Sequence, residues 1–258
     1  MIFDSENFSH QDTTVATLLS GWRLVEQNEY LFTKSHQHVS YYPKIYGTCG
    51  SFYLTEYVPP DLSYFPNFLI TKEVSWNMRV TVAMEILNIT ESMDKNFHEP
   101  LHFCDVKVWN YGISPVGEVK VIDTDSMYYE SDLTDTMGKL NCTSHEHCDF
   151  NDCHGFCVLT TGKCRPQRTN NNLQKICQDI LSDDPKNFFA GLVHNPPTDL
   201  SYRITTLVQE CANPDGSHGI LSKARSPTPA VYYHKLRHIL QKSLVLYKTT
   251  QNAHNKYV

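Results

Sequence analysis

The 258-residue chain has no apolar run approaching the roughly 18 to 20 residues of a membrane-spanning helix. Its opening, Met1-Ile-Phe-Asp-Ser-Glu6, lacks both the basic start and the apolar stretch of a secretion signal. Positive charge is also short: 22 Lys and Arg stand against 28 Asp and Glu, a formal net charge of -6. That balance excludes a general nucleic-acid binder. Acids are missing only locally, from Gly219 to Val258, where seven Lys or Arg occur with no Asp or Glu; this stretch reads as a solvated face. There is no internal repeat and no paired Cys-x-x-Cys. What the chain does have is 40% hydrophobic and 12% aromatic residues, enough for a globular core.

Of nine cysteines, six fall close together: Cys142, Cys148, Cys153, Cys157, Cys164 and Cys177, with His145, His147 and His154 among them. Zinc would accept such ligands, but the even count and three nearby glycosylation sequons, at Asn7, Asn88 and Asn141, favour disulfides. Bridges would tie down a segment too poor in apolar residues to order itself. The expected compartment is oxidising, the endoplasmic-reticulum lumen or membrane or the secreted space, with a signal or anchor upstream of Met1. Cys49, Cys104 and Cys211 lie outside the cluster and leave at least one odd thiol. Cys104, beside Asp105, reads as a buried core thiol, since a carboxylate neighbour disfavours the thiolate.

Periodicity predicts one helix from Thr14 to Phe32, its apolar face carrying Val15, Leu18, Leu19 and Trp22. Tyr42 to Gly47 and Ser51 to Val58 read as a strand pair around a Thr48-Cys-Gly50 turn, stopped by Pro59-Pro60. A longer helix begins at Ser75, with Trp76, Val80, Ala83 and Leu87 on one stripe. Further on, Tyr111 to Ile113 and Glu118 to Ile122 form a hairpin about Ser114-Pro-Val-Gly117. Helices are expected over Leu173 to Leu181, Leu200 to Cys211 and Tyr232 to Tyr247. Strands first and helices after fit an α+β class.

A hairpin returns the chain to its start, so Asn110 and Asp123, at its two open ends, should meet. An amide oxygen and a carboxylate are hard ligands suited to Mg²⁺ held partly by nucleotide phosphates. Five residues before Asn110, Asp105 could accept the proton of an attacking hydroxyl, with Lys107 offsetting charge on a transferred phosphoryl group. Taken one at a time these are ordinary turn acids, and Lys107 and Lys120 ordinary solvated lysines.

Jointly they say more. Asp105-Val-Lys-Val-Trp-Asn110 resembles the protein-kinase catalytic loop Asp-x-x-x-x-Asn, and Val119-Lys-Val-Ile-Asp123 resembles the strand entering the metal-binding Asp-Phe-Gly. Glu26-Gln-Asn-Glu-Tyr-Leu31, Tyr46-Gly-Thr-Cys-Gly50, Tyr53-Leu-Thr-Glu56, Phe103-Cys-Asp105, Val121-Ile-Asp-Thr-Asp125 and Asn170-Asn-Asn-Leu-Gln174 narrow the likeness. Over Thr17 to Cys211 the chain resembles the divergent protein-kinase-domain family that includes the deleted-in-autism proteins, in its endoplasmic-reticulum branch with a cysteine-rich C-terminal lobe.

The resemblance implies a protein-kinase-like α+β fold: a partial N-lobe over 1–58, and over 59–258 a mostly helical C-lobe with a cysteine-rich segment at 141–177. ATP and Mg²⁺ are the implied ligands. Asp105 and Lys107 are the implied catalytic pair, Asn110 and Asp123 the metal ligands, and Glu56-Tyr57-Val58 the hinge that holds adenine. Glu29 is the implied carboxylate for a nucleotide-gripping lysine. Departures from the pattern are equally plain: Phe103-Cys104 replaces His-Arg, Asp125 replaces the glycine after the metal aspartate, and no Ala-Pro-Glu follows. No glycine loop or strand lysine precedes Glu29, so the chain alone is expected to be inactive. Glu6 to Thr17 lacks the central Gly and closing Glu of a calcium loop, and no calcium is expected there. The rival expectation is a catalytically silent module that binds a protein partner in the secretory pathway.

Overall fold

The structure is a computed structural model that describes residues 15–59, 74–183, 191–216 and 225–254. In chain order its elements are α1 (Val15–Val25), α2 (Asn28–Ser35), β1 (Ile45–Cys49), β2 (Phe52–Thr55), α3 (Trp76–Lys95) and β3 (Leu101–Phe103). There follow β4 (Tyr111–Ile113), β5 (Val119–Val121), β6 (Met127–Tyr129), α4 (Glu130–Gly138), β7 (Cys157–Val158) and β8 (Lys163–Cys164). The last are α5 (Asn172–Lys175), which runs into a π-helical turn at Ile176–Leu181, then α6 (Thr198–Ala212) and α7 (Val231–His254). Among the described residues the strands form four two-stranded sheets, β1-β2, β3-β6, β4-β5 and β7-β8. The mixture is α+β. No described helix is long and apolar enough to cross a membrane.

The chain divides into two compact units: Met1–Asp61 with Trp109–Met127, and Leu62–Val108 with Tyr128–Val258. In the first, the single helix expected from Thr14 to Phe32 is broken. Gln27 is extended (φ -87°, ψ 106°), and its side-chain amide donates to Arg23 O at 3.1 Å and Ser51 O at 3.0 Å. A contact 24 residues away thus outweighs helical continuity. The expected apolar face of α1 is not buried: Val15, Leu18, Leu19 and Trp22 are all exposed, and Leu24 is buried instead. Thr14 and Asn7 lie outside the described residues. The β1-β2 pair forms, but Thr48 and Cys49 belong to β1 and not to the expected turn, which falls at Gly50 and Ser51; the φ of 60° at Gly50 suits glycine. In the β4-β5 hairpin Tyr111 faces Val121, Gly112 faces Lys120 and Ile113 faces Val119.

The second unit is built around α3, and Ser75 caps it by accepting from Met78 N at 3.4 Å. The expected stripe Trp76, Val80, Ala83 and Leu87 is buried, joined by Ile86 and Met93. α7 packs along α3: Trp76 Nε1 donates to Ser243 Oγ at 3.1 Å, and Tyr233 Oη donates to Asp94 at 2.8 Å.

Four disulfides join Cys104 to Cys153, Cys142 to Cys157, Cys148 to Cys164 and Cys177 to Cys211. Cys104 is buried, but as half of a bridge, which corrects its reading as a core thiol. All six clustered cysteines are oxidised, so no thiolate is left there for zinc. The odd thiol is Cys49, which is exposed.

Candidate functional site

In the first unit, the β4-β5 ladder continues one step beyond its strands. Ile122 N donates to Asn110 O at 2.9 Å, so Asn110 and Asp123 sit at the open end of one hairpin. Asn110 is buried. Beyond Asp123 the chain turns back on itself: Asp125 N donates to Asp123 Oδ1 at 3.4 Å, and the Thr124 and Thr33 hydroxyls meet at 3.0 Å. The Thr33 contact fastens this turn to α2, on which Glu29 lies.

The Glu29 carboxylate accepts from Tyr53 Oη at 2.8 Å. Burial raises the Glu29 pKa above the usual carboxylate range; the Tyr53 hydrogen bond opposes this, and the charges of Asp123 and Asp125 add to it. Tyr53 is held protonated by its own burial and by the Glu29 charge it faces. The charges of Asp123 and Asp125 reach Glu29, so this end of the hairpin is acidic, a setting that favours a bound cation.

Next to these acids lies a cavity of about 250 Å³ lined by Glu29, Tyr53, Glu56, Val58 and Ile122, among others. Glu56 N donates to Lys44 O at 2.7 Å, so that N–H is engaged in the strand pair. The Glu56 carboxylate accepts from Lys44 N at 3.2 Å and lies 3.8 Å from Lys120 Nζ. Lys120 is not the solvated lysine that the sequence allowed: it is buried, donates to Ser40 O at 2.6 Å and pairs with Glu118 at 3.1 Å. Tyr57 is exposed. Gly112 carries a signal that sequence reading passed over. A Cβ there would stand 2.5 Å from Pro59 O and 2.6 Å from Val58 Cγ1, so the hairpin can approach the 56–58 segment only through a glycine.

The second unit carries Asp105 and Lys107, whose side chains pair at 2.5 Å. Their loop is fixed from both sides. Before it, Asn172 spans β3, donating to Leu101 O at 2.7 Å and accepting from Phe103 N at 2.9 Å. Cys104 is bonded to Cys153 and accepts from Asp152 N at 2.8 Å, while Val106 N donates to the Asp152 carboxylate at 2.7 Å. Asp152 is itself paired with Lys175 at 3.0 Å. Burial would lower the Lys175 pKa, but Asp179 and Asp152 together raise it. The cysteine-rich segment is therefore the mount of the Asp105 loop.

The three consecutive asparagines have separate tasks. Asn170 accepts from His154 N at 2.9 Å and donates to Asp152 O at 2.8 Å. Asn171 caps α5 by accepting from Gln174 N at 3.0 Å, and Asn172 clamps β3. Half-buried Arg168, its pKa lowered to about 10 by desolvation, donates to Asn172 Oδ1 at 2.8 Å. Among the sequons, Asn88 and Asn141 are exposed.

With this geometry described, comparison with known proteins adds the following. The family model of the protein-kinase domain of FAM69 matches residues 21–214. Over 195 residues the chain is 28% identical to "Divergent protein kinase domain 2A" of Xenopus tropicalis and 27% identical to the protein so described in Homo sapiens. Each alignment covers 71% of this chain and 44% of the relative, so the chain spans less than half the length of these curated relatives.

Proposed function

Because the chain belongs to the family of the FAM69 protein-kinase domain, we propose that it is the nucleotide-handling and acceptor-handling part of a divergent kinase-like phosphotransferase of the secretory pathway. Residues 1–58 supply part of an N-lobe, and 141–177 are an insertion of the C-lobe that braces the Asp105 loop. Asn110 and Asp123 hold Mg²⁺, which neutralises charge on the ATP phosphates. The 56–58 segment receives adenine. Asp105 orients the acceptor hydroxyl and takes its proton, and Lys107 stabilises charge on the transferred group. One observation carries this reading: a hairpin that seats Asn110 beside Asp123, with Glu29 made costly to ionise by burial and then by the charges of Asp123 and Asp125. The disulfides fit an oxidising compartment, and exposed Asn88 and Asn141 are its proposed glycan sites.

A second reading, a silent kinase-like module that binds a protein partner, is favoured by the Tyr53 hydroxyl occupying Glu29 where kinases place a lysine. Thermal shift of the chain with Mg²⁺ and ATP tests the first. At about a hundredfold excess over Kd the melting point is expected to rise by about 5 to 10 °C, and Asp123→Ala to abolish the rise. A flat response in both proteins overturns nucleotide binding. ATP turnover lost in Asp105→Asn would exclude the silent module.

A further inference from the structure

The basic C-terminal stretch is not uniformly solvated. α7 buries Tyr233, Leu236, Leu240 and Ser243 on one side, which leaves His234, Lys235 and His238 on another. That second side forms, with α6, a groove of about 480 Å³. Leu207 and Ile239 supply its apolar part. Arg203 from α6 and Lys235 from α7 bring positive charge, and the His234 and His238 rings stack one turn apart, 6.3 Å between centroids. Lys235 Nζ lies 4.6 Å above the Tyr232 ring. The lining holds one acid, Glu210, whose carboxylate accepts from Tyr232 Oη at 3.2 Å. At the rim stands Tyr202, 81% exposed.

We propose that this groove is the docking site for an acidic amphipathic segment of a partner protein, its apolar residues set on Leu207 and Ile239 and its carboxylates on Arg203 and Lys235. Charge complementarity selects the occupant. The chain as a whole carries -6, whereas in the groove the cations Arg203 and Lys235 stand against a single acid, Glu210. An apolar strip bordered by cations, with an exposed tyrosine at the edge, is the pattern that receives an acidic helix face. The family match covers residues 21–214, so α6 lies inside it and α7 beyond it. The inference stands independently of nucleotide binding.

The test uses the full chain and a fluorescent model helix of about five turns, Leu on one face and Glu on the other. A counterpart with Lys for Glu, and phosphatidylserine vesicles, are the comparison arms. Fluorescence anisotropy is expected to show the Glu helix binding at least ~10-fold tighter than the Lys helix, with affinity falling as salt rises. The double variant Arg203→Glu/Lys235→Glu should reverse that preference, and Leu207→Asp should weaken both helices. The reversed residues are exposed, so circular dichroism and the melting point should match those of the parent chain. Equal binding to the parent chain and the charge-reversed variant overturns the proposal. So does charge-dependent binding to vesicles without binding to the Glu helix, which would make the groove a membrane contact. Self-association of the free chain lost on charge reversal would assign the groove to a second copy and overturn it too.

Discussion

The Glu29 carboxyl is made reluctant to ionise first by burial, against the Tyr53 hydrogen bond, and then by Asp123 and Asp125. A folded-state pKa raised above the unfolded value favours the fold while the group is protonated, and the benefit is lost as pH rises through the raised value. Glu29→Gln keeps an oxygen for the Tyr53 hydroxyl and removes the charge. It should melt above the parent chain at pH 7 and level with it near pH 4, as scanning calorimetry at the two pH values would show. Equal melting points at pH 7 would mean that ionised Glu29 has a compensating partner. Individual residues were unevenly legible. The spacing of Asp105, Asn110 and Asp123 stood out because it is fixed by a loop and a hairpin. The burial of Lys120 did not, since its ion pair with Glu56 and its bond to Ser40 join segments far apart in sequence.

Elements governed by local chemistry could be read; those governed by distant partners could not. α3 has its cap at Ser75 and its stripe at Trp76, Val80, Ala83 and Leu87, and the β4-β5 hairpin has its four-residue turn closed by Gly117 N donating to Ser114 O at 2.8 Å. The break between α1 and α2 depends on Ser51 accepting from Gln27, and no periodicity within the helix announces it. β3 has only three residues, and Asn172 from α5 bonds both Leu101 O and Phe103 N. Asn172→Ala would remove these hydrogen bonds and the one from Arg168, at about 1 to 3 kcal/mol for each group thereby left buried and unpaired. The expected outcome is a lower urea midpoint with unchanged slope and faster hydrogen exchange at the Phe103 amide. A Phe103 amide as protected as in the parent chain would show that β3 is held by its neighbours alone.

Across the whole molecule, cysteine arithmetic indicated bridges but not partners, because spacing cannot specify a pair such as Cys104 and Cys153, 49 positions apart. The Cys177–Cys211 bridge ties the π-helical turn to α6 across 34 positions. Replacing both residues with serine should cost about 4 kcal/mol through the freedom restored to the unfolded chain, read as a lower denaturation midpoint. A double variant as stable as the parent would show that packing of α6 on the π-helical turn suffices. With eight cysteines bonded in pairs, Cys49 faces Phe52 across the β1-β2 ladder, and Phe52 adjoins Tyr53 in sequence but points to the other face of the strand. A maleimide dye added without reductant should therefore couple once per molecule, at an address that leaves the Tyr53–Glu29 hydrogen bond on the far side of the ribbon. The protein thus carries a ready-made optical reporter for whatever ligand the neighbouring acids admit.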